Sequence, residues 1–355
     1  MTRTKLPFWQ VVIGTATGYV GAVVGGAFAT GREITHFFVI PQSEAASLLL
    51  TAGGFCGVGL VIMMMVFRNK ATSSTAVLDV IFENERCSKI FDAMLTAFYW
   101  AVLTIVIAAA GALGRQLWGF PRLVGIVLLA LGIDLSLQFQ RKGVMVVNIG
   151  LALAISATLI VVIIQMPGFS IGNNVVIGQD SNVIQSVNKI LGSVLYVSYN
   201  LLFGLAIFPF WAKRGSASAC LLGTIFGGTF LGVLVWAEWR VLSEVLRHVF
   251  SAEIPMNIAV NLLAPQFAGW YPVVLVLSLL TTGIALCVAL ETRLREAGLH
   301  HFDMARHLIL LSAIPAAFFD LGILVRTFYP LAGVLSMVLW VLLLRRAWHV
   351  TSDVG

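Results

Sequence analysis

The sequence predicts an all-α membrane protein of about ten transmembrane helices, on three observations. Hydrophobic residues make up 59% of the 355 residues and charged residues only 11%. Soluble domains carry roughly 25% charged residues, so lipid is the solvent that fits this composition. The apolar segments then run for about 20 residues at a time, the length that crosses about 30 Å of hydrocarbon at 1.5 Å per residue. Finally, the runs do not alternate apolar with polar every second residue, as the strands of a membrane barrel do. Inside lipid every backbone N–H and C=O must be satisfied within the chain, which leaves helices as the remaining solution.

Ten spans are expected near 8–34, 44–67, 90–113, 120–138, 143–165, 187–211, 216–237, 267–290, 306–326 and 328–344. A tight turn at Thr327 to Pro330 separates the last two, with Pro330 opening the final helix. Ser74 to Phe82 reads as a short amphipathic helix, and Ser251 to Ala264 as a short helix outside the membrane. If the N-terminus is cytoplasmic, this count puts 15 of the 22 Lys and Arg on the cytoplasmic side. That is the bias expected of an inner-membrane protein, and a missed helix would invert it. The expected location is therefore the bacterial inner membrane, with both termini cytoplasmic. The net charge of +6 is accounted for by these loops and needs no nucleic-acid partner. No cleavable signal-peptide pattern is expected at the N-terminus, where the first apolar run is long and no small-residue cleavage site closes it. Cys56, Cys87, Cys220 and Cys287 lack metal-ligand or disulfide spacing. No phosphate-binding loop, zinc-protease motif or Ser/His/Asp set is present, so no enzymatic activity is expected.

Two spans read as interrupted. The first holds Gly14, Gly18, Gly21, Gly25, Gly26 and Gly31. Each interior glycine costs a helix about 1 kcal/mol relative to alanine. Gly21 and Gly25 also have the spacing that lets a second helix approach closely. Thr30 and Glu33 have capping-box spacing, which predicts a new helix starting near Thr30 with Glu33 bonding back to it. The sixth span carries Tyr196, Ser198, Tyr199, Asn200 and Gly204 at its centre, then Pro209. That polar triplet is costly at such depth unless it lines a cavity or bonds a neighbouring helix. The two spans open successive sets of five helices, 1–165 and 187–346. Five is odd, so the second set is inverted relative to the first. Paired broken helices in inverted halves mark a secondary-transporter site near the midplane.

The stretch Gly25-Gly-Ala-Phe-Ala-Thr-Gly-Arg-Glu-Ile34 followed by Phe37-Phe38 resembles the first-helix signature of YkvI-like membrane proteins. These are a permease family grouped with the amino acid–polyamine–organocation superfamily and its leucine-transporter fold. Lys142-Gly143 with Val147-Asn148, and Tyr196 with Ser198 to Asn200, resemble its fifth and sixth helices. The resemblance implies a small-molecule substrate such as an amino acid or amine, moved by alternating access. Its expected site is Gly21, Gly25, Gly26, Ala27, Tyr99, Tyr196, Ser198, Tyr199 and Asn200. It also implies a Na⁺ ion as coupling ion and no other cofactor. The ion's expected ligands are the carbonyls of Val20, Val23 and Ser278 and the hydroxyls of Thr281 and Thr282. The residues alone leave two further readings open. The two threonines can simply bond carbonyls of their own helix. Asp320, read as lying inside the ninth span, can carry a proton instead. A membrane receptor that keeps the fold without moving solute is the other functional class.

Overall fold

A computed structural model of the protein describes residues 6–82, 84–139, 144–166, 183–296 and 302–352. Lys142 and Gly143, together with Arg3, Lys5 and Arg141 of the charge argument, lie outside the described residues.

The first span is α1 (Phe8–Val23), α2 (Gly26–Ala29) and α3 (Arg32–Ile34), followed by a π-helical turn at Thr35–Val39. The next elements are α4 (Ala45–Arg68), α5 (Ser74–Ile81), α6 (Glu85–Trp118), α7 (Arg122–Phe139) and α8 (Val144–Gln165). The second half holds α9 (Val183–Ala212), α10 (Ala217–Glu244), α11 (Leu246–Val249), α12 (Pro255–Leu263), α13 (Trp270–Glu296), α14 (Phe302–Ala316) and α15 (Leu321–Ser352). Ten spans thus emerge among the described residues. Six of the helices are individually long and apolar enough to cross a membrane, and α1 and parts of α8 and α14 are shorter apolar helices. The short helices expected at 74–82 and 251–264 form as α5 and α12.

The bundle is organised around the broken first span. Its first part, α1, packs on α10 and α9, and α2 packs on α13. α4 and α10 lie side by side, as do α9 and α15. Many leucines, valines and isoleucines on the outside remain exposed, such as Leu128, Ile164 and Leu311. In water such a surface would be an aggregation hazard; against lipid it is the expected exterior.

Three expectations change. The sixth span is unbroken: α9 is one helix of 30 residues, with Pro209 inside its last turn. The ninth and tenth spans meet at residues 317–320 instead of at 327–330, and Pro330 lies within α15. Asp320 is accordingly not inside the ninth span. It precedes α15 and accepts a hydrogen bond from the Ile323 N–H at 3.2 Å, a first-turn cap.

Candidate functional site

The break in the first span is two residues wide. The Gly25 N–H turns back to the Val23 carbonyl at 3.0 Å, with Val24 at φ −81° and ψ 82°. That is an inverse γ-turn. Gly25 is extended, and α2 begins at Gly26. A side chain at either glycine would collide with α13. A Cβ on Gly25 would stand 2.8 Å from the Thr282 hydroxyl, and one on Gly26 would stand 2.7 Å from the Leu279 Cα. Glycine is needed here because another helix occupies the space.

The break unpairs five backbone groups, the Val24 carbonyl among them because the Phe28 N–H does not reach it. Ala22 O loses its helical donor because the Gly26 N–H donates instead to Thr282 Oγ1 at 2.9 Å. Gly21 O loses its own because Gly25 N–H has turned to Val23. On the other side, the N–H groups of Ala27 and Phe28 have no backbone acceptor among the described residues. The far end of α2 is tied down. Tyr271 donates its hydroxyl to Ala29 O at 2.7 Å, and Met256 donates its N–H to Thr30 O at 3.0 Å.

The expected capping box does not form. Thr30 donates its hydroxyl to Ala27 O at 2.7 Å, and Gly31 adopts φ 77°, a second interruption that restarts the helix at Arg32. A carboxylate one residue into that restart could still reach back, but Glu33 is held elsewhere. It accepts the Tyr199 hydroxyl at 2.8 Å. Tyr329 is stacked on Tyr199 with ring centroids 4.6 Å apart and shares a cavity wall with Glu33.

Beside the break lies a cavity of about 420 Å³. Gly21, Val23, Gly25 and Ala27 line it from the broken span, with Glu33 above them. Tyr99 of α6, Asn200 and Phe203 of α9, Thr282 of α13 and Tyr329 of α15 complete the polar and aromatic wall. The cavity extends past Thr17 on α1, Ile207 on α9 and Ala289 on α13, toward the end of the bundle where α1 begins. In the other direction Phe37, Phe38, Phe55 and Tyr196 form a buried aromatic plug, with Phe38 and Tyr196 rings 5.1 Å apart.

Of the expected site residues, Gly21, Gly25, Ala27, Tyr99 and Asn200 line the cavity. Gly26 is turned to Leu279. Tyr196 belongs to the aromatic plug, Tyr199 reaches the site through Glu33, and the Ser198 carbonyl accepts the Trp340 indole N–H at 3.0 Å. Asn200 bonds the Tyr196 carbonyl one turn back at 2.9 Å. The Ser198 carbonyl, the Tyr199 hydroxyl and the Asn200 amide N–H thus find partners, and α9 stays unbroken. Of the expected ion ligands, Val23 and Thr282 reach the cavity. Thr281 donates to the Leu277 and Ser278 carbonyls of its own helix, and the Val20 carbonyl accepts the Val24 N–H. Glu33 and Tyr329 are the wall residues that the sequence reading placed elsewhere. Capping-box spacing places Glu33 in a cap, and the stretch Thr327 to Pro330 places Tyr329 in a turn. An intramembrane carboxylate is itself a signal for a site, and that signal was legible.

Asp320 instead joins a cluster at the surface. Arg122 at the start of α7 pairs with Glu253 and, at 3.5 Å, with Asp320. Arg326, its nearest cation in sequence, forms no ion pair with it among the described residues. Burial, then the hydrogen bond shared with Asp320, pushes Glu253 above the ordinary carboxylate range, against the pull of Arg122. For Asp320 burial acts upward as well. The hydrogen bonds from Glu253 and the N–H groups of Ile323 and Gly322, with Arg122, outweigh it and hold the group below its usual value.

The chain is a ten-span helical bundle whose first helix breaks beside a largely apolar cavity with a few polar groups in its wall, and comparison with known proteins bears on its fold. The sequence matches no family model. It is similar to the uncharacterized membrane protein YkvI of Bacillus subtilis (strain 168), 26% identical over 328 residues that cover 90% of this chain and 91% of that one. It is also similar to the uncharacterized protein YyaD of the same organism, 27% identical over 340 residues and 95% of each chain. Among solved structures it resembles a mutant of the Eremococcus coleocola manganese transporter, with a TM-score of 0.60 at 14% identity, covering 96% of this chain and 81% of that one. The inward-facing conformation of Mhp1 gives 0.60 at 14%, covering 90% and 73%. A Na⁺-coupled sialic acid symporter gives 0.58 at 12%, covering 94% and 74%. The chain has the leucine-transporter fold.

Proposed function

We propose that the protein is a secondary transporter of an amino acid or related amine, working by alternating access and coupled to Na⁺. The observation that carries this reading is the convergence of opposite polar groups on one cavity. The freed carbonyls of Gly21 and Ala22 and the Glu33 carboxylate suit an ammonium group. The freed N–H of Ala27, which lines the cavity, suits a carboxylate, and a zwitterion uses both. The solved relatives of this fold named above are transporters by their descriptions, which supports the class. The chain is read as two inverted five-helix repeats, 1–165 and 187–346, with both termini in the cytoplasm. On that orientation the cavity faces the cytoplasm and the aromatic plug closes the outside.

Na⁺ is a hard cation that accepts neutral oxygens. The support for it is Thr282, which sits against the break in the first span. Thr281 and the carbonyls of Val20, Val23 and Ser278 are proposed to turn toward the ion when it binds. A bound ligand raises stability by RT ln(1 + [L]/Kd). A thermal-shift screen of amino acids and amines, with and without Na⁺, therefore identifies the solute. Uptake into proteoliposomes then tests coupling: a Na⁺ gradient at fixed pH should drive accumulation. The double variant Thr281→Ala with Thr282→Ala should raise the Na⁺ concentration for half-maximal uptake. Uptake that ignores the Na⁺ gradient would remove Na⁺ as the coupling ion. A ligand that binds without any uptake would make the protein a receptor.

A further inference from the structure

The polar groups of the cavity wall are unevenly spread. Thr282 stands against the break, where its hydroxyl accepts the Gly26 N–H. Asn200 and Tyr329 belong to the same level, because Tyr199, the residue before Asn200, donates to Glu33 and stacks on Tyr329. Glu33 is the one charged residue of the wall among the described residues.

Away from the break the wall turns apolar. One turn along α9 from Asn200 comes Phe203 and two turns along comes Ile207, about 4.5 and 10.5 Å away at 1.5 Å per residue. One turn along α13 from Thr282 comes Leu286, with Ala289 about a turn further. Two hydroxyls interrupt this surface, and both donate to backbone. Thr17 donates to the Ile13 carbonyl at 2.7 Å, and Tyr99 to the Leu202 carbonyl at 3.3 Å. Arg293 approaches the Tyr99 ring to 5.3 Å but is not part of the wall. Its guanidinium is bound to Asp92 at 2.5 Å and to Ser74 at 3.1 Å.

The part of a solute that leaves water for this stretch meets no counter-charge there. A charged or amide group loses its hydration without a replacement. A hydrocarbon group gains about fourfold in affinity for each methylene it buries. The cavity, at about 420 Å³, has room for such a group beyond the head group held at the break.

We propose that the cavity selects solutes with an apolar body. The head group sits at the break, and an uncharged hydrocarbon side chain lies along Phe203, Leu286 and Ile207. The substrate class is then a hydrophobic amino acid or the corresponding amine, and acidic and amide side chains are rejected. The place of the head group rests on the transporter reading, whereas the apolar seat of the side chain rests on the wall itself.

Leucine, asparagine and aspartate test this, because their side chains share nearly one shape and differ in polarity and charge. Leucine should bind the purified full-length protein, in NaCl, about tenfold more tightly than asparagine and on the order of 100-fold more tightly than aspartate. Along alanine, 2-aminobutyrate, norvaline and norleucine, affinity should rise about fourfold per methylene. Equal binding across the first set, or a flat second series, would overturn the proposal. Phe203→Asn should narrow the leucine-to-asparagine ratio and Phe203→Leu should preserve it. A ratio unchanged by Phe203→Asn would remove the seat of the side chain, and the wild-type series decides the matter if that variant fails to fold. The same hydrocarbon tails carried by primary amines and by carboxylates separate this proposal from the transporter reading. Affinity that climbs with tail length for carboxylates alone would remove the amino-acid reading and keep the apolar body. Amino acids that bind regardless of tail length would keep that reading and remove this one. No binding by any series would remove both.

Discussion

The first and sixth spans occupy corresponding places in the chain and carry similar warnings of a break, yet only the first is broken. In the first span the warning is glycine, and α13 fills the volume that side chains at Gly25 and Gly26 would need. The Thr282 hydroxyl then takes the Gly26 N–H that would have continued the helix. In the sixth, the Tyr199 and Asn200 side chains and the Ser198 carbonyl find partners without disturbing the helix. Asn200 bonds back one turn, Trp340 covers the Ser198 carbonyl and Tyr199 serves Glu33. Polar residues at membrane depth thus predict a need for partners. Glycines pressed by a neighbouring helix predict a break.

The largest test of that contrast is Gly26→Leu. The side chain must displace the Leu279 backbone, which stands 2.7 Å from its Cβ. Uptake of the identified solute should be abolished while the variant still inserts and purifies as a monodisperse species. Wild-type uptake would show that the break tolerates filling. Tyr199→Phe is next. It removes the hydroxyl from the Glu33 carboxyl and should cost about 1–3 kcal/mol, read as a lower Tm in detergent. An unchanged Tm would mean that the Tyr199 hydroxyl does not stabilise Glu33.

Trp340→Phe sharpens the other half of the comparison. It strips the N–H from the Ser198 carbonyl while keeping the ring volume, and should cost about 1 kcal/mol. Solute binding by thermal shift should survive, because Ser198 and Trp340 do not line the cavity. Loss of binding would make α9 a helix that opens when solute binds.

The smallest effect is expected at the surface cluster that bridges α12, α15 and α7. Arg122→Gln should change stability by about 1 kcal/mol or less, as partly exposed ion pairs do. The pH dependence is more telling. Glu253 is raised in the folded protein, so its contribution is full below its ordinary value of 4.5 and is lost as pH rises through the raised value. Asp320 is lowered, so its contribution is full above its ordinary value of 3.8 and is lost as pH falls through the lowered one. Glu253→Gln should therefore flatten the fall in Tm of the wild type above pH 4.5 and leave the acid limb in place. Parallel curves for the two proteins would rule out Glu253 as the titrating group.

Composition and run length by themselves determined that this is a helical membrane bundle of ten spans, because the thickness of the hydrocarbon and the demand for internal hydrogen bonding leave few alternatives. The glycines of the first span likewise marked the break, to within a few residues, since backbone freedom is written in a single residue type. The fate of the polar residues was not legible in the same way. Ser198, Tyr199 and Asn200 looked like a second break, Glu33 like a cap, and Asp320 like a buried proton carrier. Which of them meets a cavity, a carbonyl or a cation depends on partners 100 residues or more away, such as Trp340 for Ser198, Tyr199 for Glu33 and Arg122 for Asp320. Helix periodicity is local and can be read along the chain. Hydrogen-bond satisfaction in a membrane is a property of the packed bundle, so only the tertiary structure decided where the charges of this protein stand and what they face.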